Sequence, residues 1–282
     1  MSDAVSRSMI GRPAATANPK RAARPGLPWA SVVRRGQGLL LPLLLLIAWE
    51  GVVRAGLIAS NLLPPPSELV GTLRELTAGG AILPHILASS LRVLAGFVIG
   101  GGLGVLVGAA IGLSPRAERL VGPTFQGVRA IPSLAWAPLL LLWLGIDEAP
   151  KIVLIAIGAF FPVYLNVVSG VHNVDRKLVE VGRIYGLGPV ALARRIFLPA
   201  ALPSVFTGLR SGLSLAWMFL VAAELIAASR GLGYLLTEGR ESGRADEVIV
   251  AIVTLALLGK LSDSALAGLE RLFLRWRDTH RS

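Results

Sequence analysis

The chain has no cysteine in its 282 residues, which excludes disulfides and thiolate metal sites. Histidine is nearly as scarce. His85, His172 and His280 stand far apart, so no histidine-based metal site is expected. Lysine occurs at only four positions; Lys260 alone follows a glycine, and Leu261 comes next. A phosphate-binding loop needs Gly-Lys-Ser/Thr, so that backbone amides, an ammonium and a metal-binding hydroxyl surround the phosphates. No nucleotide site of that type exists here, and no nucleophile–base constellation stands out. Charge as a whole is sparse at 16% of residues, against about 25% in an ordinary soluble domain.

What the chain has instead is apolar length. It is 54% hydrophobic with a mean hydropathy of +0.67, which points to an integral membrane protein. A bilayer core takes about 20 apolar residues per helix. Six runs fit, at about 38–58, 93–115, 130–146, 152–171, 203–227 and 248–268. The third contains Pro132 and Pro138, so a kink or a broken helix is expected there. Glu50 and Arg54, four apart in the first, are spaced to pair on one helix face. After Pro64-Pro65-Pro66, Ser67 is the expected N-cap of a short surface helix with Leu69, Val70, Leu73 and Leu76 on one face.

The formal net charge of +11 would raise nucleic-acid binding in a soluble protein. Here the distribution of charge favours a membrane account. With six spans, both termini share one side. That side carries twenty Lys/Arg: seven in the tail, three in 114–129, five in 172–195 and five from Lys260 onward. The other carries seven: Arg54, Arg74, Arg92, Lys151, Arg230, Arg240 and Arg244. The bias places both termini in the cytoplasm. No apolar stretch precedes residue 38, so no cleavable signal is expected. Residues 1–35 read as a flexible basic cytoplasmic tail ahead of a transmembrane domain at 36–282, although an Arg-rich start also fits an organelle transit peptide.

Three features stand out within this frame. Gly96, Gly100, Gly104, Gly108 and Gly112 recur every four residues, a ridge that lets another helix approach closely. The ridge serves static packing, a gating contact, or both. Arg210 and Glu224 lie inside the fifth run, where charge is costly. Arg210 either meets an anionic solute in a pathway or snorkels to headgroups; Glu224 sits at an outer gate or at the outer interface. Lys260 and Asp263, three apart in the sixth run, are expected to pair.

The sharpest signal is the loop 172–199. It carries Glu180-Val181-Gly182, then Gly186, and after nine residues Ile196-Phe197-Leu198-Pro199. Leu178, Val179, Val181, Gly182 and Tyr185 suit a short amphipathic helix. Gly186 and Gly188 suit a bend with positive backbone angles. Residues 190–197 suit a second short helix, ended by Leu198-Pro199. Together they make a rigid knob.

From about residue 85 to 276 this pattern resembles the permease family of binding-protein-dependent ATP-binding-cassette importers. Val181 and Gly182 stand where that family has two alanines. Within it the chain is similar to the branch importing aliphatic sulfonates, taurine and nitrate. The matching strings include Ser60-Asn61-Leu62-Leu63-Pro64, Trp143 to Glu148, Asn173 to Arg176, Gly231 to Leu235 and Ala256 to Leu261. Ala256 to Leu261, with Leu269 to Leu272, looks most like the alkanesulfonate permease. The resemblance implies a type I importer permease fold, all-α with six transmembrane helices and a core at about 85–270, in a bacterial inner membrane. It implies a second copy of this subunit, two ATP-binding subunits that carry ATP and Mg, and a periplasmic solute-binding protein. This chain would bind no cofactor and perform no catalysis. The loop, through Glu180, Val181, Gly182, Gly186, Ile196, Leu198 and Pro199, would couple ATPase motion to the helices. Taurine, nitrate or a small heterocycle remains an alternative cargo, and a self-sufficient secondary transporter the alternative class.

Overall fold

The computed structural model describes residues 28–276, with side chains from Leu40 onward; the expected basic tail before Pro28 lies outside them. The chain divides into two units. In the first, ending at Ala48, the described part is the beginning of helix α1 (Pro28–Arg54); the second is Trp49–Ser282. Helix α1 begins ahead of the apolar run at 38.

Ten further helices follow, and no strand occurs among the described residues. They are α2 (Pro66–Ala78), α3 (Ile82–Gly112), α4 (Pro115–Ala130), α5 (Ala137–Leu144), α6 (Glu148–His172), α7 (Arg176–Ile184), α8 (Pro189–Leu192), α9 (Leu198–Ala227), α10 (Leu232–Glu241) and α11 (Ala245–Phe273). A 3-10 turn, Ser133–Trp136, precedes α5, and a π-helical turn, Ala193–Phe197, precedes α9.

Local chemistry fixes several of these ends. Ser114 caps α4, its hydroxyl accepting from the Ala117 N–H at 3.3 Å, with Pro115 in the first turn. Ser67 does not cap α2. The helix starts one residue earlier, at Pro66, whose ring fixes a helical φ. A carboxylate from the preceding helix does the capping instead. Glu50 accepts the Ser67 N–H at 3.1 Å and its hydroxyl at 2.7 Å, while its own partner Arg54 lies at 2.7 Å. A negative charge on a helix N-terminus is favourable on dipole grounds as well.

Four helical stretches are long and apolar enough to cross a membrane: α3, α6, α8 through α9, and α11. The expected third span, 130–146, is not one helix. Pro132 and the 3-10 turn break it, α5 has eight residues, and α4 meets the segment Ser133–Leu144 at 83°. Only if that bent pair counts as one span do the candidates number five.

The core is built around α6. On its α3 side the glycine ridge meets it along its whole length. A Cβ at Gly96 would come within 2.5 Å of Ile155, at Gly100 onto the Ala156 carbonyl, at Gly104 within 2.9 Å of Phe160 O, at Gly108 within 2.8 Å of Val167, and at Gly112 within 3.1 Å of Val171. These pairings make α3 and α6 parallel. Towards α9, Gly158 opposes Phe219, Gly170 opposes Ser204, and Gly208 and Gly212 receive Val163, which also packs on Gly104, so α9 runs antiparallel. Lipid supplies no hydrophobic drive for helix association, so such closeness is the source of cohesion. Gly100→Leu and Gly104→Leu are expected to cost at least about 1–3 kcal/mol, the range for overpacking, because backbone carbonyls cannot swing away. Leu106, exposed on α3, tolerates Ile. Abundance in membranes and thermal stability in detergent check this; wild-type values for both glycine variants would show a loose contact.

Candidate functional site

The segment between α6 and α9 folds as two short helices around a glycine turn. Asp175 caps α7, its carboxylate accepting from the Lys177 N–H at 2.9 Å. The other end closes as a Schellman motif: Leu187 N–H donates to Gly182 O at 3.0 Å and Gly186 N–H to Arg183 O at 2.9 Å. That closure puts Gly186 at φ +73°, the left-handed region, which costs glycine little. Gly188, at φ −67°, needs no such freedom.

Gly182 is buried under the second helix. A Cβ there would strike the tip of Ile196 and come within 2.7 Å of Leu192. The small residue after Glu180 and the isoleucine of the motif thus meet in space, fourteen positions apart. Glu180 is exposed at a cavity of about 670 Å³ between the knob and the α3–α4 corner, lined also by His172, Arg176, Arg183 and Phe197.

The residues expected on one amphipathic face divide between two. Gly182 turns inward and Val179 is half-buried. Leu178, Val181 and Tyr185 turn outward, and with Ile184 and Val190 they form an apolar surface, Ile184, Tyr185 and Val190 each more than 80% exposed. Ile184 and Val190 were not singled out by sequence; a hydrophobic residue beside a glycine bend was the available signal.

Leu198-Pro199 does not end the second helix. Pro199 has no N–H for the carbonyl four residues back, and its ring crowds that carbonyl. The chain widens into the π turn Ala193–Phe197 and then continues as α9. The knob is therefore joined to a long apolar helix without an intervening loop. Such π turns often mark functional positions.

At the opposite end of α6, Glu224 is 1% exposed and Arg92 5%. The Arg92 guanidinium donates to Glu224 at 2.6 Å, to both oxygens of Glu148 at 2.6 and 2.7 Å, and to the Arg230 carbonyl. Glu224 also accepts from Ser89 Oγ at 2.8 Å and from the Gly233 N–H at 2.7 Å; Ser89 in turn accepts from the Leu232 N–H. Lys151 joins through Glu148 at 3.3 Å. A Cβ at Gly231 would overlap the Glu224 carboxyl, which explains a glycine at φ +133° there. The cluster ties α3, α6 and α9 to the Gly231–Leu235 segment. Sequence reading placed Arg92 and Lys151 outside the spans as loop-end cations; both are buried inside helices, and long-range pairing is the reason.

Arg210 is neither free nor simply directed to headgroups. Asp263 of α11 holds it bidentately at 2.8 and 3.0 Å, and Glu270 lies at 3.5 Å. Asp263 pairs with Arg210 and not, as its spacing suggested, with Lys260. No cluster of metal-ligating side chains occurs among the described residues.

Comparison with known proteins places these features. The family profile of binding-protein-dependent transport system inner membrane components matches residues 100–275. A Bacillus subtilis permease named for aliphatic sulfonates transport is 40% identical over 86% of this chain and 88% of its own length. An Escherichia coli permease of the same name is 44% identical over 85% and 91%. The Escherichia coli taurine transport system permease is 35% identical over 82% and 86%. Among solved structures, an inward-facing MetNI methionine ABC transporter chain superposes with a TM-score of 0.54 at 22% identity, covering 66% of this chain and 91% of that one. It is a likeness of fold.

Proposed function

The chain belongs to the binding-protein-dependent transport system inner membrane component family, and we propose that it forms the translocation path of an importer for aliphatic sulfonates, driven by ATP through alternating access. In this reading it works as two copies with two ATP-binding subunits, which carry ATP and Mg, and with a periplasmic solute-binding protein. It lies in a bacterial inner membrane with both termini cytoplasmic, and α1 and the bent α4–α5 pair complete six spans. The chain itself binds no cofactor.

The observation that carries the reading is the capped knob. An exposed apolar surface on α7, outside the long apolar stretches, and on the first turn of α8 needs a protein partner, and the π turn passes movement of that knob directly to α9. The names of the relatives favour a sulfonate; taurine also carries one, so cargo of this class needs a cationic or hydrogen-bonding path. Proteoliposomes holding this subunit with its ATPase, supplied with binding protein, are expected to take up ethanesulfonate only with ATP. This subunit alone is expected to hydrolyse none. Uptake by the subunit alone, driven by an ion gradient, would establish a secondary transporter instead.

A further inference from the structure

We propose that the elbow between α4 and α5 lines the solute path and that Arg129 is the cation there which meets the sulfonate. The cargo class rests on the importer reading above; the exposure of the elbow to water does not.

The argument begins with depth. Val128 shares a groove of about 590 Å³ with Trp136, Ile157, Phe160 and Phe161. The last three belong to the middle stretch of α6, whose ends are Glu148 and His172. The elbow therefore sits about half-way along a helix long enough to span the bilayer, and not at its surface. Counting Arg129 with a cytoplasmic loop was an error of depth: it closes the last turn of α4.

Backbone chemistry comes next. Ile131 is extended at the C-cap of α4, and Pro132 has no N–H to give. The carbonyls of Arg129, Ala130 and Ile131 accept no backbone hydrogen bond across the break among the described residues. Irregular backbone at this depth is tolerated only where protein covers it or water reaches it, because hydrocarbon satisfies none of these groups. Yet Arg129, Ala130, Ile131 and Pro132 are all exposed. A lipid-facing elbow is thus excluded on energetic grounds.

Charge gives the third step. Arg129 has no acidic partner among the described residues. Of the other span cations, Arg92 pairs with Glu148 and Glu224, Lys151 with Glu148, and Arg210 with Asp263 and Glu270, while Lys260 of α11 is exposed and makes no ion pair among the described residues. A charge at membrane depth faces a polar cavity or a partner. The negative end of the α4 dipole favours a cation at this position. Its planar fork fits two oxygens of a sulfonate at once, and exposed Gln126, three residues earlier on the same face, adds a further hydrogen-bonding group.

The cysteine-free chain permits a direct test in the complete transporter. Arg129→Cys and Ile131→Cys are expected to react with a sulfonate-bearing, water-soluble thiosulfonate reagent at least tenfold faster than Leu106→Cys, an exposed apolar position on α3. Equal rates would overturn the water-lined elbow. For the cation, Arg129→Gln is expected to lower ethanesulfonate uptake at least tenfold at unchanged membrane abundance and ATPase co-purification, with Arg129→Lys restoring part. Uptake by Arg129→Gln within twofold of wild type overturns the role of Arg129. If the wild-type complex shows no ATP-driven ethanesulfonate uptake, the cargo reading fails, and thiol reactivity still decides the elbow.

Discussion

Glu180→Ala combined with Gly186→Val is expected to abolish uptake while leaving the subunit in the membrane at normal abundance. Gly186 sits at φ +73° with open space around the position of a Cβ. The penalty for valine is therefore backbone strain and not a clash, on the order of 1–3 kcal/mol. That strain acts on the Schellman closure, so it changes the angle between α7 and α8 and with it the apolar surface of Val181, Ile184, Tyr185 and Val190. Glu180 is exposed, so its removal costs the fold little; in the proposed assembly it removes a charged contact with the ATPase. Gly186→Ala is expected to be milder than Gly186→Val, since β-branching worsens a positive φ. The measurements are membrane abundance, co-purified ATPase, and uptake. Near-normal uptake by the double variant would show that the knob is not the coupling element.

Arg92→Ala should damage the protein more than any surface substitution. It leaves the Glu224 carboxylate, whose side chain is fully buried, with hydrogen bonds from Ser89 and Gly233 but no cation. Breaking one half of a buried pair costs roughly 3–5 kcal/mol. Glu224→Ala should be comparably severe, because the Gly233 N–H, Ser89 and one arm of Arg92 lose their acceptor together. Glu148→Ala should be less severe, since half of that side chain is open to solvent, yet not neutral, because the buried Lys151 then loses its acidic partner. Removing both charges, as Arg92→Met with Glu224→Leu, should recover part of the loss, because neither is then stranded. Thermal unfolding of the purified subunit ranks the four. A double variant no better than the singles would mean that the hydrogen bonds to the Gly231–Leu235 segment, and not the charges, hold this end together.

Much of the architecture was legible along the chain because its causes are local. Long apolar runs mark α3, α6, α9 and α11, free of charge in the first two and interrupted by Arg210 and Glu224 in α9 and by Lys260 and Asp263 in α11. The four-residue glycine period marks one face of α3, because 3.6 residues make a turn. The knob was legible because a short charged segment and the glycine bend at Gly186 act within a few residues, whereas the Asp175 cap and the passage through Pro199 into α9 were not. The ends of the long helices were less so: α3 begins at Ile82, well before the charge-free run, since Arg92 is paired rather than solvated.

Sequence by itself determined the family, the absence of a phosphate-binding loop of the Gly-Lys-Ser/Thr type and the presence of Arg210, Glu224, Lys260 and Asp263 inside apolar runs. Tertiary structure decided what each charge does. Arg210 finds Asp263 fifty-three positions away, Glu224 finds Arg92 across 132, and Arg129 finds no acid among the described residues. Composition and spacing report only neighbours within a turn or two, whereas the energy of a buried charge depends on whichever group the fold carries to within about 3 Å of it. The same holds for the second glycine contact, Gly208 and Gly212 against Val163. Its four-residue spacing was present in the chain, but only the packing of α9 on α6 shows that it meets a second face of one central helix, with Val163 shared between Gly104 and Gly212.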